Sequence, residues 1–321
     1  MKFINITSAF IALVFSMSIF SLSAAAKNVD QRLTVAGNAQ VNIENLRGKV
    51  TIVGTDSNEV WVSGKLDEKA TDFIFEVDGK DVTIIVKMPS RMNSSFWDKD
   101  EQETKLLIEL PSSAAVKFNG VSSDVNISNV HAGVNAKTVS GDVIAENLSA
   151  KIVLESVSGD VKSENLNGEI YLSSVSGDVY DRASTGQLNY HAVSGNIDAK
   201  ANADEINASV ISGDLDIKLE QVSDASLSSV SGDVTVSLEL NDDGLLKMSS
   251  VSGNINLGLQ KDVNADIRVH SNAGGRIINN LTDDEVEKAK YGPSSKLTTS
   301  TGNGSASIKM STVSGNIKLH Y

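Results

Sequence analysis

One pentapeptide governs what this chain can fold into. Val139-Ser-Gly-Asp-Val143 returns as Val157-Ser-Gly-Asp-Val161, Val175-Ser-Gly-Asp-Val179, Val193-Ser-Gly-Asn-Ile197, Ile211-Ser-Gly-Asp-Leu215, Val230-Ser-Gly-Asp-Val234 and Val251-Ser-Gly-Asn-Ile255. A last copy, Val313-Ser-Gly-Asn-Ile317, stands near the C-terminus. The central residues are Gly141, Gly159, Gly177, Gly195, Gly213, Gly232 and Gly253, then Gly315. The first seven are 18 residues apart four times running, then 19, then 21. A fixed short period marks a repeat too small to bury its own apolar face, so each copy needs its neighbours. Eighteen residues leave no room for a crossover helix. Matching strands must then lie parallel in successive rungs, about 4.8 Å apart. The expected fold is all-β: a single-stack parallel β-solenoid, right-handed because parallel crossovers nearly always are. The strict six-residue apolar repeat of left-handed hexapeptide coils is absent.

Take each motif glycine as position zero. Positions −2 and +2 are always apolar, which reads as strand residues facing inward. A second short strand follows at +11 and +13, as in Ile152 and Leu154, Ile170 and Leu172, or Leu188 and Tyr190. Gly168 and Gly186, with Asn147 and Asn165, mark the corner between the two strands. The motif itself reads as the other corner. There the glycine supplies a positive φ, and Asp142, Asp160, Asp178, Asn196, Asp214, Asp233, Asn254 and Asn316 bond back to nearby backbone.

The flanking regions divide as follows. Residues 1–26 read as an export leader, with Lys2 at its head, a mostly apolar run from Ile4 to Phe20, and Ala24-Ala25-Ala26 as cleavage site. Residues 27–118 read as an N-terminal β region and cap. It contains a hairpin, Phe73 to Val77 and Val82 to Val86, about Asp78-Gly79. Residues 90–105 read as a polar surface loop around Phe96 and Trp97. Residues 119–321 hold the repeats, with an irregular insertion at 271–300. Inside it, Thr282 to Lys290 predicts a short helix, with acids first and lysines last.

Composition narrows function. There is no cysteine, so neither disulfides nor lipid attachment through one. The formal net charge is −13, or −14 once Lys2 leaves with the leader. That charge disfavours nucleic acid and anionic lipid surfaces as partners. After leader cleavage no membrane insertion is expected, since no other apolar stretch is long enough to span.

The stacked acids admit two readings. They could string calcium ions through oxygen ligands, or they could be turn residues. Exposed charges about 5 Å apart repel by only about 1 kcal/mol in water, so the ladder stands without metal. Asn also replaces Asp freely, which favours the turn. The serines before each glycine read as corner hydrogen-bonders, not as an ice-binding hydroxyl array. His131, His191, His270 and His320 are scattered without ligand spacing. No nucleophile elbow, zinc motif or phosphate loop is present. No catalytic, cofactor or metal site is therefore expected, and the chain reads as non-enzymatic. Trp61, Phe96 and Trp97 are the candidate partner contacts.

The repeated pentapeptide, the Leu106-Leu-Ile-Glu-Leu-Pro111 strand before it and the closing Gly304-Ser-Ala-Ser-Ile-Lys-Met310 segment together resemble a bacterial β-strand-repeat family. That family is usually labelled "putative adhesin" and otherwise treated as a domain of unknown function. The resemblance covers roughly residues 40–320. It implies an exported β-solenoid of the periplasm or cell surface with a binding or structural role, its partner an envelope protein or glycan. The alternatives are a carbohydrate-binding or polysaccharide-degrading β-helix, which needs converging acids and aromatics, and a mechanical spacer, which needs polar flanks throughout.

Overall fold

The computed structural model describes residues 27–89 and 102–321; the leader, Phe96 and Trp97 lie outside them. Every regular element there is a strand. In the middle of the chain the repeat period becomes strand register. Ser149–Ser156 lies parallel between Val134–Thr138 and Asn167–Ser174, with Ile152 opposite both Val134 and Ile170. A second column runs beside it, where Val161 sits opposite Val143 and Val179. From Val179 the two columns join into longer strands, Val179–Ala192, Ile197–Ser212, Leu215–Ser231 and Val234–Ser252. Their pairing slips where they bend, as between Arg182 and Thr185. Inward residues of all rungs form one continuous apolar core from Val29 to Leu319.

The stack begins earlier than residue 119. Gln40–Thr55 is already a rung: Val41 lies between Val82 and Val116, and Val50 between Leu106 and Val125, all parallel. Outside it the strand direction reverses. Asp72–Asp78 runs antiparallel to Asp81–Lys87, giving the expected hairpin with Gly79 and Lys80 in the loop. Glu59–Lys65 runs antiparallel between Asn28–Thr34 and Thr104–Pro111. These turned strands occupy the open edge that a parallel stack would otherwise offer to other chains. Beneath them Arg47 and Asp67 form a fully buried ion pair, with Arg47 Nη2 donating to Asp67 Oδ1 at 3.1 Å.

At the other end, rung order departs from chain order. Ala306–Ser314 lies between Leu245–Ser252 and Ala265–Ser271, with Met310 opposite Met248 and Val269. Ile317 likewise lies between Ile255 and Ile277. The C-terminal strands therefore slot between two rungs that precede them in sequence. Ser295–Thr301 then runs antiparallel to Ala265–Ser271 as the end strand.

The helix expected over Thr282 to Lys290 does not form. The segment is irregular apart from Glu287–Lys288, which pairs antiparallel with Ser295 and Lys296. Thr282 caps no helix; its hydroxyl shares a hydrogen bond with Thr299 at 2.9 Å, and Asn279 Nδ2 donates to the Asp284 carbonyl at 3.1 Å. So short a segment gains too few helical bonds to offset nucleation, and these tertiary bonds win.

Candidate binding face

The motif corner is built by close approach. A Cβ on Gly159 would collide with the backbone carbonyl of Gly141; one on Gly177 would collide with that of Gly159, and so on through Gly195, Gly213, Gly232, Gly253 and Gly315. Only Gly232 and Gly253 of these take a positive φ. The residue is glycine because successive rungs touch there, and the expected positive φ is the minor reason.

The side chain after each glycine then ties rung to rung. The N–H of Asp142 donates to Asp124 Oδ1 at 3.0 Å, Asp160 to Asp142 at 2.9 Å, and Asp178 to Asp160 at 3.0 Å. The chain of bonds continues through Asn196, Asp214, Asp233 and Asn254 at 2.7 to 2.8 Å. It ends with Asn316 N–H on Asn254 Oδ1 and Arg276 N–H on Asn316 Oδ1, each at 3.0 Å. An amide oxygen accepts as well as a carboxylate oxygen, which explains the free exchange of Asn for Asp. The bonds reach forward to the next rung, not back to the same turn. Among the described residues, no group of three His, Asp or Glu side chains is arranged to hold a metal ion.

The inward serine stands at −3, where reading of the motif alone missed it. Ser156 Oγ donates to the Gly141 carbonyl and accepts from the Gly159 N–H, both at 2.9 Å. Ser174 repeats this with Gly159 and Gly177. The serines at −1, including Ser158, Ser176 and Ser212, are exposed instead.

That shift moves the −2 residue outward. Along each strand the inward residues are −7, −5 and −3, for example Ile152, Leu154 and Ser156. Alternation then forces −2 into solvent, and the corner resets the phase so that +2 is buried. Val121, Val139, Val157, Val175, Ile211, Val230, Val251 and Val313 are 37% to 49% exposed. Backbone bonds from Ser158 to Val139, Ser176 to Val157 and Ser194 to Val175, each 2.8 Å, hold successive copies in line. The result is an aliphatic stripe along the stack, edged by exposed serines on one side.

A stack of in-register parallel rungs with such corners has known relatives. The chain matches the Toastrack DUF4097 family over residues 20–238 and again over 211–320. It belongs to that family. No curated protein matches it. Among solved structures, a "putative cell adhesion protein" from Clostridium sporogenes ATCC 15579 shares 13% identity, covering 92% of this chain and 99% of that one at a TM-score of 0.21. A "putative adhesin" from Parabacteroides merdae ATCC 43184 shares 11%, covering 73% and 92% at 0.42. Another from Bacteroides fragilis NCTC 9343 shares 12%, covering 93% and 100% at 0.35. The family match, not these distant likenesses, places the chain.

Two further sites in this Toastrack protein bear on chemistry. Asp181 occupies an inward +4 position and is fully buried. It accepts from Ser163 Oγ at 2.5 Å, Ser184 Oγ at 2.6 Å and Tyr190 OH at 2.7 Å. Burial pushes its carboxyl above the usual range, against the pull of those hydroxyls. The three hydroxyls and the carboxyl bond to one another in the core. Trp61, a candidate contact, is already engaged. Its Nε1 donates to Asp30 at 2.7 Å, and the Arg32 guanidinium lies 4.5 Å from its ring centroid. Its companions Phe96 and Trp97 fall outside the described residues.

Proposed function

We propose that this Toastrack protein is an exported, non-enzymatic scaffold of the bacterial envelope, coiled right-handed, that holds a partner along its length as an adhesin does. The aliphatic stripe carries this reading. A pure spacer gains nothing from eight partly exposed Val and Ile side chains in one line. Folding does not demand them, because the interior at each corner is filled from −3 and +2. A contiguous apolar surface of this kind marks an interaction site, and long regular flanks suit extended, shallow interfaces. The partner is an envelope protein or glycan, and export rests on the leader at residues 1–26.

The test is co-sedimentation of purified protein with isolated envelopes of the producing bacterium. Val157→Thr, Val175→Thr and Ile211→Thr together leave the β geometry intact, since threonine is also β-branched. We expect retention to fall about tenfold, given some tens of cal/mol per Å² of apolar area lost, with little change in Tm. Undiminished retention removes the stripe from the reading.

A further inference from the structure

Position +5 on five successive rungs carries Glu146, Glu164, Arg182, Lys200 and Lys218. Register places Lys200 directly between Arg182 and Lys218. Three cations therefore stack about one strand spacing apart, roughly 4.8 Å, on a chain whose net charge is −13. Like charges directly opposite one another weaken a ladder. Arg182 is relieved: its Nη2 bonds Asp198 Oδ2 at 2.8 Å, and its Nη1 donates to the Asp181 and Asp198 carbonyls at 2.7 and 2.9 Å. Lys200 and Lys218 are exposed and form no ion pair among the described residues.

The same three side chains line one open groove of about 580 Å³. Its floor includes Leu219 and Ala201, and Asn202 and Glu220 also line it. Asp198 and Asp216, on the neighbouring outward column, lie outside the lining.

We propose that this groove binds a linear acidic polysaccharide of the uronate class, lying along the axis of the stack. The inference rests on the scaffold reading and gives it a ligand class. Every residue of such a chain carries a carboxylate, so a segment lying along the groove offers several negative groups to Arg182, Lys200 and Lys218. Asn202 offers an amide, and Glu220 an acceptor, to sugar hydroxyls. The lining contains no aromatic ring, so neither a nucleobase nor a neutral sugar finds a stacking platform there, and the carboxylates of an acidic glycan carry the contact instead. Protein-wide negative charge opposes every polyanion alike, so binding is strongest for short oligomers held within the groove.

The full chain is titrated with a galacturonate hexamer, with maltohexaose as the neutral equivalent and a short oligo-dT as the nucleic-acid arm. We expect saturable hexamer binding that weakens as salt rises, with no binding of maltohexaose and weaker binding of oligo-dT. Lys200→Ser with Lys218→Ser should weaken hexamer binding at least about tenfold, since each removes a charge-assisted bond. Lys151→Ser, at an exposed lysine paired with Glu169 away from the groove, should leave it within about twofold. Matching thermal melts confirm that both variants fold. Absent hexamer binding, equal binding of maltohexaose, tighter binding of oligo-dT, or an unaffected Lys200/Lys218 double variant would each overturn the assignment. The Val157/Val175/Ile211 triple variant should still bind the hexamer. Failure of the hexamer with intact envelope retention sinks the ligand class alone; the converse sinks the stripe alone.

Discussion

Between residues 134 and 219 each rung is held by copies of one set of contacts: an apolar inward pair, a glycine against a backbone carbonyl of the rung before, and a side-chain oxygen on the next rung's amide. At the two ends the repeat is interrupted. Strands reverse, a buried ion pair appears at one end, and at the other the last strands insert between earlier rungs. The comparison separates two sources of specificity. In the middle, register follows from a contact so close that only one residue type fits, repeated many times. At the ends, single long-range contacts do the work, and each can be removed alone.

The sharpest way to break this comparison sets two glycines against each other. Gly177→Ala puts a Cβ into backbone atoms of the rung below, which cannot move without unstacking. It should lose about 4 kcal/mol or more, the exceptional range for a single substitution. Gly79→Ala, in the end hairpin, meets no atom within 4 Å and carries only the strain of φ 62. That strain is about 1 to 2 kcal/mol. Urea denaturation of both decides it, and equal losses would mean that close approach is not what selects glycine in the stack.

At the N-terminal end, Arg47→Met strands the buried Asp67 carboxylate and should cost about 3 to 5 kcal/mol. Arg47→Met combined with Asp67→Leu should regain most of that loss. If the double variant is no better than the single one, the pair does more than balance its own charge.

Asp181 is the exception within the regular region, and its effect depends on pH. Its carboxyl is raised by burial in the fold, so the folded state favours the protonated form. Its stabilising contribution is full below the ordinary aspartate range, about pH 4. It is lost as pH rises through the raised folded value. Asp181→Asn should therefore flatten the fall in Tm on the alkaline side of about pH 4. An unchanged profile would show that the carboxyl titrates at its normal position.

Smaller effects are expected along the acid ladder. Asp160→Ala leaves the Asp178 N–H without its 3.0 Å acceptor and should cost about 1 kcal/mol. Asp160→Asn should cost only a few tenths, because the amide oxygen still accepts. Smallest of all, millimolar calcium should leave Tm unchanged, and a rise reversed by chelator would turn the ladder into an ion site.

Much of the fold was legible in the repeat. The period predicted parallel rungs, and Ile152 does lie opposite Ile170, 18 positions on. The +2 column proved inward, as Val161 and Val179 show. The −2 column did not, because a corner between strands breaks the two-residue alternation that pattern reading extends across it. Seeing the phase required −3, whose Thr138, Ser156 and Ser174 look like surface residues until their bonds to the corner are known. The candidate site was less legible for the same reason: an apolar residue facing out and a hydroxyl facing in are each the less common choice.

The sequence by itself determined the rung length, the parallel pairing and the places where the chain must turn, because each follows from local period and residue type. Only the tertiary structure decided which valines meet water, which glycines are pressed against a neighbour, that Asp181 is buried, and that the final strands sit inside the end of the stack. Those outcomes depend on distances between residues remote in the chain. No local pattern encodes such distances until the rungs are brought together.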